Sequence, residues 1–420
     1  MTFSLKRIGP GLLFAGAAIG VSHLIQSTRA GADFGFGLVW ALLLVNLFKY
    51  PFFQYGPRYA MATGETLLDG YKKLGKGVLI VYFIVSIATM FTIQTAVTIV
   101  TAGLAKSIFE SYYSLSIESW TVIILLICFT ILILGKYYFL DRLMKVIIIT
   151  LSLSTIIAVA FAFKNTTGHI AFNQTFPTRY QFGFLIAFMG WMPAPLDISI
   201  WHSLWAIEKQ KSEKEYNVRS SLFDFNIGYI TTIILGLAFL ALGAIVMFES
   251  GDNFSSKASV FSTQLISMYT KNLGSWSYII IAIAAFTTMF STTLTTLDAS
   301  PRAMAKTSQL LFDKVRKHHY LFWILMLITG TILIFIYFLS DMALLITIAT
   351  VLSFITAPLY AIANYALISS KHTPKSWRPS VKLHILSILG ILFLIGFSLW
   401  YVILNKEIFI QFYDWLSLLF

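Results

Sequence analysis

Apolar runs of about 20 residues recur along the chain, and each can cross the roughly 30 Å of bilayer hydrocarbon as an α-helix. The chain is 58% hydrophobic and only 11% charged. Soluble domains carry roughly 25% charged residues. Strands of a membrane β-barrel would alternate apolar and polar residues instead of running continuously apolar. The sequence therefore predicts an all-α polytopic membrane protein.

Eleven segments are predicted to cross the membrane. They cover residues 10–30, 37–61, 77–105, 119–136, 140–163, 182–205, 222–248, 276–299, 319–339, 342–369 and 381–404. The tail KEIFIQFYDWLSLLF is predicted to form an amphipathic helix at the membrane interface. The polar stretch between the seventh and eighth spans is expected to hold a short helix. No cleavable signal peptide is expected before the first span.

Basic residues predict how the chain is threaded through the membrane. Most of the 30 Lys and Arg residues fall in the loops that a cytoplasmic N-terminus would place inside. We therefore expect an integral protein of the bacterial inner membrane, with the N-terminus cytoplasmic and the C-terminus external. The net charge of +12 is explained by this topology, so no nucleic-acid partner is expected. The single cysteine, Cys128, excludes an internal disulfide.

Two of the predicted spans contain residues that interrupt a helix. The first span reads AAIGVSHLIQST around Gly20–His23, and the sixth reads MGWMPAPLDISIWHS around Pro193–Asp197. Proline removes a backbone donor and clashes with the preceding turn, and glycine tolerates unwound backbone. Within a bilayer, freed backbone groups persist only where they are buried in protein or face a polar cavity.

The two interruptions fall at matching places if the chain contains two repeats. We predict a first five-helix repeat in residues 1–163, a second in residues 182–369, and an eleventh helix with the tail in residues 381–420. Both breaks then lie on the first helix of a repeat, which is typical of a central transport site. The candidate substrate-binding residues are Gly20, Ser22, His23, Met192, Ala194 and Asp197.

The same two segments resemble those of a known family. GPGLLFAGAAIGVSHLIQSTRAGADFGFGLVW is similar to the first helix and loop of the NRAMP divalent-metal transporters, and MPAPLDISIWHS resembles their sixth helix. The resemblance covers roughly residues 8–405. It implies a LeuT-like fold of two inverted five-helix repeats, with helices 1 and 6 broken. It also implies secondary active transport of a divalent metal cation by alternating access.

The sequence departs from the family pattern at the positions that bind metal. The family's Asp-Pro-Gly-Asn break falls on Gly20–His23, so its aspartate is a glycine here and its asparagine is His23. In the sixth helix, one register places Asp197 and His202 on the family's two histidines. Another places Met192 on its methionine and Ala194 on its first histidine. The third span lacks the family's acidic residues, and its tenth-helix glutamine is missing near Ala349–Thr350.

The remaining polar groups permit two kinds of ion site. His23, Asp197 and Met192 could supply imidazole, carboxylate and thioether ligands to a transition metal. Asp197 and Ser22 could instead support Mg²⁺, which prefers oxygen ligands and retained waters. No cofactor is expected, and the transported or coupling ion is a divalent metal or Na⁺. A hydrogen-bonded core histidine is the alternative role for His23.

Further residues are predicted to act in coupling or gating: Lys49, Thr292, Thr293, His202 and Asp224. A buried lysine needs an anionic partner or loses its proton, so Lys49 is expected to pair with Asp197 unless it lies nearer the end of its span. The LeuT-like resemblance implies a sodium site between the first break and hydroxyls of the eighth span. Asp224 is expected to make a gating or capping contact, for example with Arg219.

These features favour a secondary transporter of a small ion, with a divalent metal cation as the first candidate. The alternative is a sodium-coupled carrier of a small neutral or anionic solute, which a buried lysine at the site would suit. A sensor or an intramembrane enzyme is a third possibility, but the sequence shows no catalytic constellation. The expected partners are the small ion or solute and the lipid bilayer, with no obligatory protein partner.

Overall fold

The computed structural model describes residues 9–134, 137–165, 172–178, 181–248, 255, 257–275, 278–313, 318–338 and 342–406. The predicted interfacial helix of the tail lies outside these residues, as do residues 166–171, 179 and 180 of the polar loop between the fifth and sixth spans. The prediction of an all-α chain is confirmed across the part that is described.

Fifteen α-helices make up the described fold. They are α1 (Pro10–Ala18), α2 (Thr28–Phe34), α3 (Val39–Thr63), α4 (Leu67–Leu74), α5 (Lys76–Phe109), α6 (Ile117–Leu134), α7 (Tyr137–Asn165), α8 (Phe182–Trp191), α9 (Ile198–Ser212), α10 (Val218–Val246), α11 (Ala258–Leu273), α12 (Tyr278–Phe312), α13 (His319–Phe338), α14 (Met342–Ser369) and α15 (Val381–Leu404). A π-helical segment, Ser22–Ser27, joins α1 to α2.

Each predicted span coincides with helix. The first span consists of α1, the π-helical segment and α2, the sixth consists of α8 and α9, and every other span is one helix. Seven described helices are long and apolar enough to cross a bilayer, and α1 with Ser22–Phe34 forms an eighth, bent by 48°. The remaining spans are α3, α12 and the pair of α8 and α9. The short helix expected after the seventh span is α11.

The contacts between spans follow the same pattern in both halves of the chain. For most pairs of spans that are in contact, the two spans that lie five places away from them in the chain order are also in contact. The first span packs on the seventh, through α1 and α2 on α10, and the sixth packs on the second, through α9 on α3. The first span contacts the fifth, through α1 and α7, and the sixth correspondingly contacts the tenth, through α8 and α14. The third span contacts the tenth, through α5 and α14, and the eighth correspondingly contacts the fifth, through α12 and α7. Two five-span repeats would produce this pattern of contacts.

Small residues let α10 lie against both halves of the first span. An ideal Cβ at Gly228 would lie 2.1 Å from Gly11 O, and one at Gly243 would lie 2.1 Å from Thr28 O. Glycine lets helix backbones approach closely within a membrane. The long helix α10 therefore supports α1 and α2 on either side of the first break and fixes how they are placed.

Candidate functional site between the two broken helices

The first break separates α1 from the π-helical segment. Ile19, at the end of α1, leaves helical geometry with φ −80° and ψ 82°. The hydroxyl of Ser22 donates to Ala18 O at 2.6 Å and so satisfies one carbonyl that the break frees. A Cβ at Gly20 would lie 2.8 Å from Thr292 Oγ1, so glycine allows α12 to approach the unwound backbone. The predicted interruption of the first span is confirmed.

His23 is fully buried, and protein atoms contact both of its ring nitrogens. Nδ1 lies 2.6 Å from Ser22 Oγ and 3.1 Å from Ala18 O, while Nε2 lies 3.0 Å from Thr232 O. A carbonyl oxygen only accepts hydrogen bonds, so Nε2 carries a proton and donates to Thr232. The imidazole therefore ties the first break to α10. Nδ1 lies within hydrogen-bonding distance of Ser22 and Ala18, so protein atoms engage both ring nitrogens.

The second break lies between α8 and α9. Helix α8 ends at Trp191, the backbone from Met192 to Asp197 is not helical, and α9 begins at Ile198. A Cβ at Gly190 would lie 2.1 Å from Thr350 O, so α8 packs tightly against α14 just before the break. The predicted interruption of the sixth span is confirmed. The hydroxyl of Ser22 lies 3.5 Å from Pro193 O, so the two breaks meet.

Lys49, a fully buried residue of α3, lies at the end of α8. Its ammonium donates to Met189 O at 2.8 Å, to Gly190 O at 2.7 Å and to Ala194 O at 3.4 Å. Three backbone carbonyls thus take the ammonium protons. The expected direct pairing with Asp197 is therefore wrong, and the carboxylate acts on Lys49 only at longer range. The alternative position near the end of the span is also wrong, because the residue lies at the second break.

Asp197 immediately precedes α9 and is 8% exposed. Its Oδ1 is buried and has no hydrogen-bond partner among the described residues. Asp197 lies within electrostatic range of Tyr82 and Tyr360, whose rings pack with their centroids 6.1 Å apart. The tyrosines therefore bring polar groups of α5 and α14 near the start of α9. We did not predict the tyrosines, since aromatic residues in apolar spans usually pack.

A small cavity of about 20 Å³ lies where the breaks meet. The residues that line it include Ala18, Ser22, Trp191, Pro195, Thr292 and Thr296. This volume holds roughly one water-sized particle. Ser22, Thr292 and Thr296 are the hydroxyl-bearing residues of its wall. The chamber therefore matches the size of a single ion rather than that of an organic solute.

Only one of the two predicted α12 hydroxyls reaches the first break. Thr292 Oγ1 lies 3.2 Å from Gly16 O and 3.4 Å from Ile19 O, both at the end of α1. Thr293 faces α5 instead, where its Oγ1 lies 2.7 Å from Thr101 Oγ1. Thr292 therefore belongs to the chamber, whereas Thr293 joins two helices.

Gln94 is another residue that we did not predict. Its Oε1 accepts from Thr296 Oγ1 at 2.7 Å, and its amide donates to Thr293 O at 3.3 Å. It therefore connects α5 to the hydroxyl-rich face of α12 beside the chamber. The signal was present in the sequence, because an amide inside an apolar span must be paired.

His202 and Asp224 lie near the start of α1, away from the chamber. The His202 ring stacks on Phe14 with centroids 5.8 Å apart, and neither ring nitrogen has a hydrogen-bond partner among the described residues. Asp224 accepts from Gly9 N at 3.2 Å and from Gly11 N at 2.8 Å. The expected capping contact of Asp224 is therefore made with the N-terminus of α1 rather than with Arg219.

A vestibule of about 830 Å³ opens at one end of the bundle. Its charged residues are Asp69, Glu208, Lys211, Arg302 and Lys306. Lys306 pairs with Asp69 at 2.8 Å and so joins α12 to α4. Burial raises the pKa of Asp69, but the hydrogen bonds from Lys306 and Thr66 outweigh burial, so the pKa lies below its usual range. Trp205 lines the vestibule and Trp201 lines the small chamber.

The predicted metal ligands His23, Met192 and Asp197 are only partly brought together. His23 Cδ2 and Met192 Sδ lie 3.7 and 3.4 Å from the position of a Cβ on Gly236, so these two side chains are neighbours. No hydrogen bond or ion pair among the described residues joins Asp197 to either of them. No cluster of three or more His, Cys, Asp or Glu side chains within the described ranges could hold a metal ion. The proposed ligand set remains a prediction.

Comparison with known proteins decides the family. The model of the natural resistance-associated macrophage protein-like (Nramp) family matches residues 11–404. The chain belongs to the Nramp family. It is 34% identical over 403 residues to an uncharacterised protein of Pasteurella multocida (strain Pm70), covering 94% of this chain and 91% of that protein.

Solved structures share the fold of this Nramp protein. A mutant form of the Eremococcus coleocola manganese transporter matches with a TM-score of 0.71 at 14% identity, covering 94% of this chain and 85% of that one. MhsT in complex with L-phenylalanine matches with a TM-score of 0.63 at 16% identity, covering 93% and 98%. The LeuT-like fold is confirmed, and the chain is a secondary membrane transporter, not an enzyme.

Proposed function

We propose that this Nramp protein carries a small divalent metal cation across the bacterial inner membrane by alternating access. The observation that carries the proposal is the chamber of about 20 Å³ that lies where the two breaks meet. It has the size of one ion, and unwound half-helix ends at the middle of a membrane are typical ion-binding positions. The Eremococcus coleocola relative of the same fold is a manganese transporter.

The donors around the chamber favour a hard or borderline cation. The hydroxyls of Ser22 and Thr292 and the carbonyls of Ala18, Ile19 and Pro193 are neutral oxygen donors. Oxygen donors suit Mg²⁺ and Mn²⁺, and retained waters would complete the coordination. Met192 could add a softer ligand if its sulfur turned toward the break.

The charged residues of the vestibule indicate which side of the membrane it faces. It carries Lys211, Arg302 and Lys306, and basic residues concentrate on the cytoplasmic side of membrane proteins. We infer that the vestibule opens to the cytoplasm, which would place the N-terminus inside and the C-terminus outside. The two tryptophans Trp201 and Trp205 would then form the inner barrier of the chamber.

Uptake of divalent metal ions into liposomes tests the proposal. Purified protein should take up at least one of Mn²⁺, Mg²⁺, Fe²⁺, Co²⁺ and Zn²⁺, with saturation. Thr292→Val should reduce the initial rate about tenfold, because it removes a hydroxyl from the chamber wall. Thr356→Val is the matched control, since that hydroxyl donates to Leu352 O within its own helix. A folded protein that takes up none of these ions would reject the metal proposal.

A second candidate, a sodium-coupled carrier of a small neutral or anionic solute, is favoured by the buried ammonium of Lys49. A fixed positive charge beside the break opposes entry of a divalent cation. Lys49→Met separates the candidates. Loss of the charge should maintain or strengthen the apparent affinity of a metal carrier. It should weaken a carrier of anions, whose uptake would also require a Na⁺ gradient.

A further inference from the structure

The C-terminal end of α8 has the form of a cation site. The last turn of an α-helix leaves carbonyl groups without intrahelical partners, and the helix dipole places partial negative charge at that end. In the first half of the sixth span, this end lies inside the bundle at the second break, where water is scarce. The carbonyls of Met189, Gly190 and Ala194 converge there on one point, at 2.7 to 3.4 Å.

That point is already occupied by the protein itself. The Lys49 ammonium is the atom group on which the three carbonyls converge, and the ring of Phe354 lies 6.0 Å from it. Distances of 2.7 and 2.8 Å to Gly190 O and Met189 O are those of charge-assisted hydrogen bonds. The side chain is fully buried and forms no ion pair among the described residues. The partial negative charge of the three carbonyls at the helix end therefore takes the place of the anionic partner that a buried lysine otherwise needs.

We propose that Lys49 is a tethered cation that permanently fills a monovalent-cation site at the end of α8. The protein would therefore need no free ion to stabilise the second break. The carbonyls of Met189, Gly190 and Ala194 would also be withheld from the cargo. The consequence of this inference for transport rests on the proposed function. It makes the first break, with Ser22 and Thr292, the part of the chamber that binds the cargo.

The proposal predicts that the site can be emptied and refilled. Lys49→Ala removes three methylenes and the ammonium, which together correspond to propylammonium. We expect the variant to unfold at a lower temperature than wild type in detergent. Propylammonium at about 100 mM should raise its unfolding midpoint by about 3 °C or more. Propan-1-ol, which has the same shape without the charge, should have a smaller effect.

Two control variants test whether the response to propylammonium is specific to the emptied Lys49 site. Lys306→Ala removes an ammonium from the vestibule, where the side chain is partly exposed, and should show no specific response to propylammonium. Lys49→Met fills the same space with an apolar chain, so it should be destabilised and should not respond to the amine. These measurements use unfolding alone, so their outcome does not depend on whether the cargo is a metal.

The proposal is overturned if Lys49→Ala responds to propylammonium no more than wild type does. It is also overturned if Lys49→Met unfolds at the wild-type temperature, because the carbonyls at the end of α8 would then need no cation. If Lys49→Ala does not fold, the unfolding temperature of Lys49→Met alone tests the proposal. Metal uptake by wild type with an unresponsive Lys49→Ala would reject this inference while leaving the transport function standing.

Discussion

Replacing Gly228 with valine is expected to prevent formation of a stable bundle. A Cβ at this position would lie 2.1 Å from Gly11 O and 2.8 Å from Gly11 C. Both are backbone atoms, so neither can rotate away as a side chain could, and α1 would have to separate from α10. Overpacking a core typically costs about 1–3 kcal/mol, and a clash between two backbones should exceed that range. The yield of monodisperse protein in detergent measures the effect.

The matched control for this prediction is Gly396→Val. An added Cβ at Gly396, on α15, would meet no atom within 4 Å. This variant should be recovered in the same yield as wild type and should unfold at the same temperature. The milder Gly228→Ala should still lower the unfolding midpoint. Wild-type stability of Gly228→Ala would show that α1 and α10 do not cross as closely as described.

Replacing Asp224 with alanine is expected to destabilise the start of α1 by about 2–4 kcal/mol, because it leaves buried donors without an acceptor. The carboxylate accepts from Gly9 N at 3.2 Å, from Gly11 N at 2.8 Å and from the Tyr216 hydroxyl at 3.1 Å. It also places a negative charge at a helix N-terminus, where the macrodipole favours it. Thermal unfolding in detergent, followed by tryptophan fluorescence, measures the loss.

A graded series separates the charge of Asp224 from its hydrogen bonds. Asp224→Asn retains one acceptor oxygen and should lose about half as much stability as the alanine variant. Glu110→Ala serves as the control, because its pairing with Lys106 at 3.9 Å is exposed and such pairs contribute roughly 0–1 kcal/mol. Equal stability of Asp224→Ala and the control would contradict the capping role.

The helical framework could be predicted from the sequence because apolar length and helix-breaking residues are local properties. Gly20 and Pro193 marked both breaks, and the polar stretch before the eighth span indicated α11. The π-helical turn at Ser22–Ser27 could not be predicted, because no residue type specifies it. The close crossings of α10 were also missed, since glycine in a membrane helix does not indicate which helix it meets.

The candidate site was predictable only in part, for a physical reason that Lys49 illustrates. Its burial followed from its position in an apolar run. Its partners did not, because they are the carbonyls of Met189, Gly190 and Ala194, and every residue has a carbonyl. The same holds for His23, whose Nε2 meets the carbonyl of Thr232. Side-chain chemistry alone therefore favoured Asp197 as the partner of Lys49.

Anomalous diffraction from crystals saturated with Mn²⁺ tests most directly whether the cargo binds between the two broken helices. The account predicts one anomalous peak between the first break, at Gly20–Ser22, and the backbone near Pro193, within reach of Thr292. The peak should remain absent from the end of α8, where Lys49 lies. A crystal with Mn²⁺ bound only in the vestibule beside Asp69 and Glu208, or with no bound Mn²⁺, would contradict it.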